Sequence, residues 1–185
     1  MIGTAVGTFF TGSQFLVNKN AVADVAAPII SRWCNEWHGL EAVGNLFNVG
    51  FGLMVMLLAI CLGALYMINN IAHQALTQQL RRRLGQCFAL FVPILLIELI
   101  ALFTMDGFAV DEAGVVSMQA GKYLHNLLQM PVVAAMFAIG AILLLLGILL
   151  TLLKKLFNKG IWLAAPGTVL VVISFFLIVG YNNTA

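Results

Sequence analysis

Long apolar stretches alternate with short polar ones along this chain, and the apolar stretches share a common length. Four runs, 46–68, 86–105, 131–153 and 161–180, are almost wholly apolar. Each supplies about 20 residues, which at about 1.5 Å of helical rise apiece crosses a hydrocarbon layer with modest tilt. The first, third and fourth runs hold no charged residue, and the second holds only Glu98. The pattern predicts an all-α integral membrane protein: a bundle of four transmembrane helices over 46–185. Residues 2–10 are apolar but too short to cross, and 21–30 are apolar yet contain Asp24 and Pro28. Residues 1–45 therefore read as a truncated helix followed by an outer-side interfacial or re-entrant segment.

Composition supports the same solvent. Of the 185 residues, 62% are apolar and 9% charged, against roughly half and about a quarter in soluble domains. A mean hydropathy of +1.04 cannot be hidden in one small core. The net charge of +2 is too small and too scattered for a nucleic-acid partner. Charge does set an orientation. Arg81, Arg82 and Arg83 lie between the first two runs, and Lys154, Lys155 and Lys159 between the last two. The 106–130 connection has Lys122 against Asp106, Asp111 and Glu112, and the N-terminal flank carries Lys19 and Arg32. The positive-inside rule puts loops 69–85 and 154–160 in the cytoplasm.

Chemistry is sparse. Glu98 sits about 18 Å from one end of its run and about 10 Å from the other. A carboxylate at that depth costs a few kcal/mol unless it faces protein or water. Ile94, Leu95, Ala101 and Leu102 offer it no partner, so one must come from another helix or chain. It is a candidate for a proton path or for pairing with an intramembrane cation; the alternative is a protonated carboxyl at a helix contact. Trp33 and Trp37 precede a span at the depth where indoles anchor in headgroups. His73 falls on the cytoplasmic side without a haem-pair partner, His38 and His125 share the outer side and could in principle pair, and no HxxxH or HExxH spacing supports them. Cys34, Cys61 and Cys87 form no CxxC, and the latter two read as packing residues. Asn45, Asn48, Asn69, Asn70, Asn126, Asn182 and Asn183 cluster at run ends, as helix caps do, or can bond across helices. Gly140 and Gly147, with Ala134, Ala138 and Ala141 nearby, predict close helix packing.

Several short pieces carry a resemblance. They are Trp37-His38-Gly39-Leu40-Glu41-Ala42-Val43, then Phe47-Asn48 and Phe51-Gly52-Leu53. Gly63-Ala64-Leu65-Tyr66 follows, with Asn69-Asn70 and the triple arginine. Asp106-Gly107-Phe108-Ala109-Val110 and Tyr123-Leu124-His125-Asn126 before Pro131 come next. Lys159-Gly160-Ile161-Trp162 and Gly180-Tyr181-Asn182-Asn183-Thr184-Ala185 complete the set. In this order and spacing the chain resembles subunit II of cytochrome bd-type ubiquinol oxidases, over nearly its whole length.

The resemblance implies a part in a bacterial inner-membrane oxidase that couples quinol oxidation to reduction of dioxygen to water. It implies that haems b and d and the quinol-oxidising loop belong to the partner, subunit I. This chain would then bind no cofactor alone, and would buttress the haem-bearing subunit among membrane lipid and quinone. Family members have further helices before and after the matched region, including acidic residues for proton delivery. The resemblance therefore corresponds to the middle of the subunit, and the expectation is a fragment or short form. Glu98 matches none of the family motifs, so a quinone or lipid contact there rests on the membrane argument alone. The alternative reading is a small transporter or channel component with Glu98 on its path.

Overall fold

The computed structural model folds the chain into α-helices and two short antiparallel strand pairs. The structure describes residues 2–17, 31–110, 115–154 and 157–181. Within these the order is α1 (Ile2–Thr11), β1 (Phe15–Val17), β2 (Ser31–Trp33), a 3-10 turn (Leu40–Gly44), α2 (Leu46–Asn70) and α3 (Gln74–Thr104). There follow β3 (Gly107–Val110), β4 (Val116–Gln119), α4 (Lys122–Gln129), α5 (Pro131–Leu153) and α6 (Ile161–Val179). Four helices, α2, α3, α5 and α6, are long and apolar enough to span a membrane. Only 17% to 33% of their apolar windows is buried within the chain. The remaining surface is apolar, which suits lipid or a partner helix and not water.

The chain divides into two compact units, Met1–Leu53 and Met54–Ala185, with the boundary inside α2. In the first, α1 runs antiparallel to the opening turns of α2. Small residues make this possible: a Cβ on Gly7 would stand 2.7 Å from Asn48 Oδ1, and one on Gly52 would stand 2.6 Å from Thr4 Oγ1. Phe10 closes the contact against Phe47 and Phe51, at ring centroid distances of 6.1 and 5.7 Å. The expected short apolar helix at the N-terminus is thus present as α1. The strands β1 and β2 pair antiparallel with Phe15 opposite Trp33. The expected interfacial piece with Asp24 and Pro28, and Lys19 beside it, lies outside the described residues, as do Asp111, Glu112, Lys155, Asn182 and Asn183.

In the second unit, α5 and α6 form the closest pair. Gly140 meets Gly167 and Gly147 meets Gly160 and Ala164, so the helices run antiparallel with backbones nearly touching. A Cβ on Gly147 would stand 2.6 Å from the Gly160 carbonyl oxygen. The small-residue stripe read from the sequence is this contact. Buried hydroxyls are satisfied within their own helices: Thr151 Oγ1 donates to the Gly147 carbonyl and Ser174 Oγ to that of Leu170. α3 contacts α4 and α5, and β3 pairs with β4 in register Phe108↔Met118.

One expectation changes. The basic stretch 69–85 reads as a loop, yet the chain turns within residues 71–73 and is helical from Gln74. The segment Gln74–Leu84 is rich in Gln, Leu, Arg and Ala, all strong helix formers, and His73 caps it. His73 Nδ1 accepts from the Leu76 amide at 3.3 Å. Low hydropathy ends a membrane run but does not end a helix, so α3 continues past Gln86 as a polar rod. The helix also continues through Pro93, which leaves the Ala89 carbonyl without its usual donor.

Candidate functional site

Glu98 lies on the buried face of α3. Leu84, Phe91, Glu98 and Leu102 are the buried residues of this helix, spaced seven, seven and four apart, so they form one stripe. The carboxyl is 7% exposed, and Oε2 has no hydrogen-bond partner among the described residues. Its own helix supplies none, as the sequence indicates. A charge here would stand uncompensated in a low-dielectric surround, which costs several kcal/mol unless it is paired or protonated. The group can take up and release a proton, or meet a cation carried by another chain.

A second polar cluster forms at the end of the unit where α3 finishes. Lys122, Tyr123 and Asn126 on α4 are 1%, 3% and 1% exposed. Gly107 on β3 lets the lysine stem approach: a Cβ at Gly107 would stand 2.7 Å from Lys122 Cβ. Asn126 Nδ2 donates to the Ile178 carbonyl at 2.9 Å. That carbonyl is among the last four of α6, which have no acceptor role inside the helix. Burial pushes the Tyr123 hydroxyl above the ordinary tyrosine range. Sequence reasoning counted Lys122 as an ordinary loop base and treated Asn126 as either a cap or a cross-helix donor; the structure gives the cross-helix role. The signal was the spacing Lys122, Tyr123, Asn126, Leu127, which is one face of a helical turn.

The opposite, basic end is tied by Arg81. Its Nη2 donates to Asn158 Oδ1 at 2.6 Å and to the Phe157 carbonyl at 3.2 Å, joining α3 to the α5–α6 connection.

The other sequence candidates are dispersed. Trp33, on β2, meets Phe15 edge-on at 6.4 Å and covers Gly39, where φ is +94° and a Cβ would stand 3.0 Å from the indole ring. Trp37 lies in the following turn and is 66% exposed. Both indoles retain the exposure that headgroup anchoring needs. His73 caps α3, and His125 Nε2 meets Gln129 Nε2 at 2.8 Å. No group of three or more His, Cys, Asp or Glu side chains is assembled among the described residues. Asn45 acts as a cap, its Oδ1 accepting from the Phe47 amide at 3.0 Å. Asn48 instead bridges Thr11 and the Ala42 carbonyl.

Four apolar spans define a multi-pass helical membrane protein. No family model and no curated protein matches the chain.

Proposed function

We propose that this chain is a non-haem subunit, or part of one, of a bacterial respiratory quinol oxidase in the cytoplasmic membrane. In this reading it is a helical scaffold for a haem-bearing partner of the cytochrome bd type. One observation supports the reading above the others. Three of the pieces that carry the resemblance are far apart in sequence yet converge in space. Gly107 of the first packs on Lys122 and Tyr123, Tyr123 and Asn126 belong to the second, and Asn126 holds the α6 end that leads into Gly180 and Tyr181. A shared motif whose parts meet at one place has a structural reason to keep its order and spacing. The apolar faces left open on the spans are where a partner helix or lipid would lie.

On this reading the chain binds no haem itself; haems b and d sit in the partner, and quinone approaches from the membrane. Tagging this chain, co-expressing it with a haem-bearing subunit and recording the reduced visible spectrum tests the proposal. Haem should follow the partner, and quinol-driven oxygen uptake should require both chains. Haem retained by this chain alone, or an oxidase equally stable and active without it, would overturn the reading.

A second reading is favoured by Oε2 of Glu98, which has no partner among the described residues: a small transporter or channel component with that carboxyl on its path. Flux through proteoliposomes separates the two, because an unchanged flux in Glu98→Gln removes the path.

A further inference from the structure

The polar N-terminal third of α3 does more than connect two spans. Arg81 and Arg82 lie four to five residues before the apolar run that starts at Gln86. That is about 6–8 Å along the helix, the depth of the headgroup layer beyond the hydrocarbon. At this level a groove of about 770 Å³ opens between the start of α3 and the end of α5, lined by Arg81, Arg82, Ile71, Leu152 and Asn158 among others.

Its chemistry is lopsided. Among the described residues no acidic side chain lines it. The carboxylate on the same helix, Glu98, is 16 residues beyond Arg82, or about 24 Å away. Arg81 is held in place by the Phe157 carbonyl and the Asn158 amide oxygen. Arg82 makes no hydrogen bond to the protein among the described residues and is exposed. A fixed arginine and an exposed one thus line the same groove as the apolar side chains of Ile71 and Leu152.

We propose that this groove binds the phosphate of an anionic phospholipid headgroup. Arginine presents paired N–H donors that match phosphate oxygens, and a phosphodiester at this depth would meet them without leaving its own layer. The apolar wall distinguishes the ligand from a soluble anion, since it faces the glycerol and upper acyl carbons of a lipid. The site stands on the membrane fold alone and holds whether or not the oxidase reading does.

The test uses the purified full chain in detergent, stripped of lipid and titrated with phosphatidylglycerol or phosphatidylcholine under native mass spectrometry. One guanidinium near an anionic group is worth about fivefold in affinity. Phosphatidylglycerol should bind more tightly than phosphatidylcholine by at least about that factor, and Arg82→Gln should erase the preference. Arg83→Gln carries the same charge change, but Arg83 borders the neighbouring groove, which Arg82 also lines, and not this one, so it should keep the preference. Leu152→Trp, which fills the groove without touching its charge, should also lose the lipid; thermal unfolding confirms that each variant is folded. Equal affinities for the two lipids, or equal losses in Arg82→Gln and Arg83→Gln, would overturn the site. Displacement of the lipid by millimolar inorganic phosphate would reassign it to a free anion and overturn the lipid assignment.

Discussion

Two buried polar side chains behave differently because their surroundings differ. Glu98 sits mid-helix on one buried stripe with Phe91 and Leu102, and one of its oxygens has no partner among the described residues. Replacing it by Gln keeps its length and polarity and removes only the capacity for charge. Glu98→Gln should therefore change unfolding in detergent by no more than about 1 kcal/mol, whereas Glu98→Lys should cost several. A large loss in the Gln variant would mean that the chain itself pairs the carboxylate. Tyr123 lies outside the spans, and burial raises its pKa. The fold favours the neutral phenol, so this contribution is complete below the unfolded value of about 10. It is lost as pH rises through that value towards the raised one in the folded state. Ultraviolet titration should show one late-ionising tyrosine that Tyr123→Phe removes, and that variant should resist alkaline unfolding better.

At the scale of elements, close approach of backbones holds α5 to α6. A methyl at Gly147 would meet the Gly160 carbonyl oxygen at 2.6 Å and the Ala164 amide nitrogen at 2.8 Å, both backbone atoms that cannot turn aside. Gly147→Ala should cost about 1–3 kcal/mol through overpacking. Gly63 in α2 has open space around it, so Gly63→Ala should be neutral or stabilise by up to about 1 kcal/mol through helix propensity. Equal effects of the two substitutions in a denaturation series would refute the close contact. The stripe of glycines and alanines in 131–153 announced this interface in the sequence, because only small residues permit it. The partner stripe, Gly160, Ala164 and Gly167, was not singled out: small residues at and just before the start of a span mean little until another helix faces them. The 69–85 stretch shows the converse, where hydropathy ended a span and the backbone went on as helix.

For the whole molecule, four crossings place successive connections on alternate sides. A cysteine at Gln78 and one at Met118, both exposed positions, should react with an impermeant maleimide from opposite faces of sealed vesicles. Labelling of both from one face would remove a span. The apolar runs alone determined this alternation, because a peptide backbone in hydrocarbon must satisfy its own hydrogen bonds and about 20 helical residues do so across the layer. The lone charge at Glu98 was equally plain, since the four apolar runs hold no other Asp, Glu, Lys or Arg. Tertiary structure decided the rest. It buried Lys122 and Asn126 by laying a short amphipathic helix over Gly107 and the end of α6, and it built the arginine groove by running α3 beyond its apolar portion. Hydropathy is a sum over neighbouring residues and registers how long a segment is and which solvent it prefers. Which polar groups meet depends on contacts between residues 50 or more apart, such as Asn126 with Ile178 and Arg81 with Phe157, and only the folded chain brings those together.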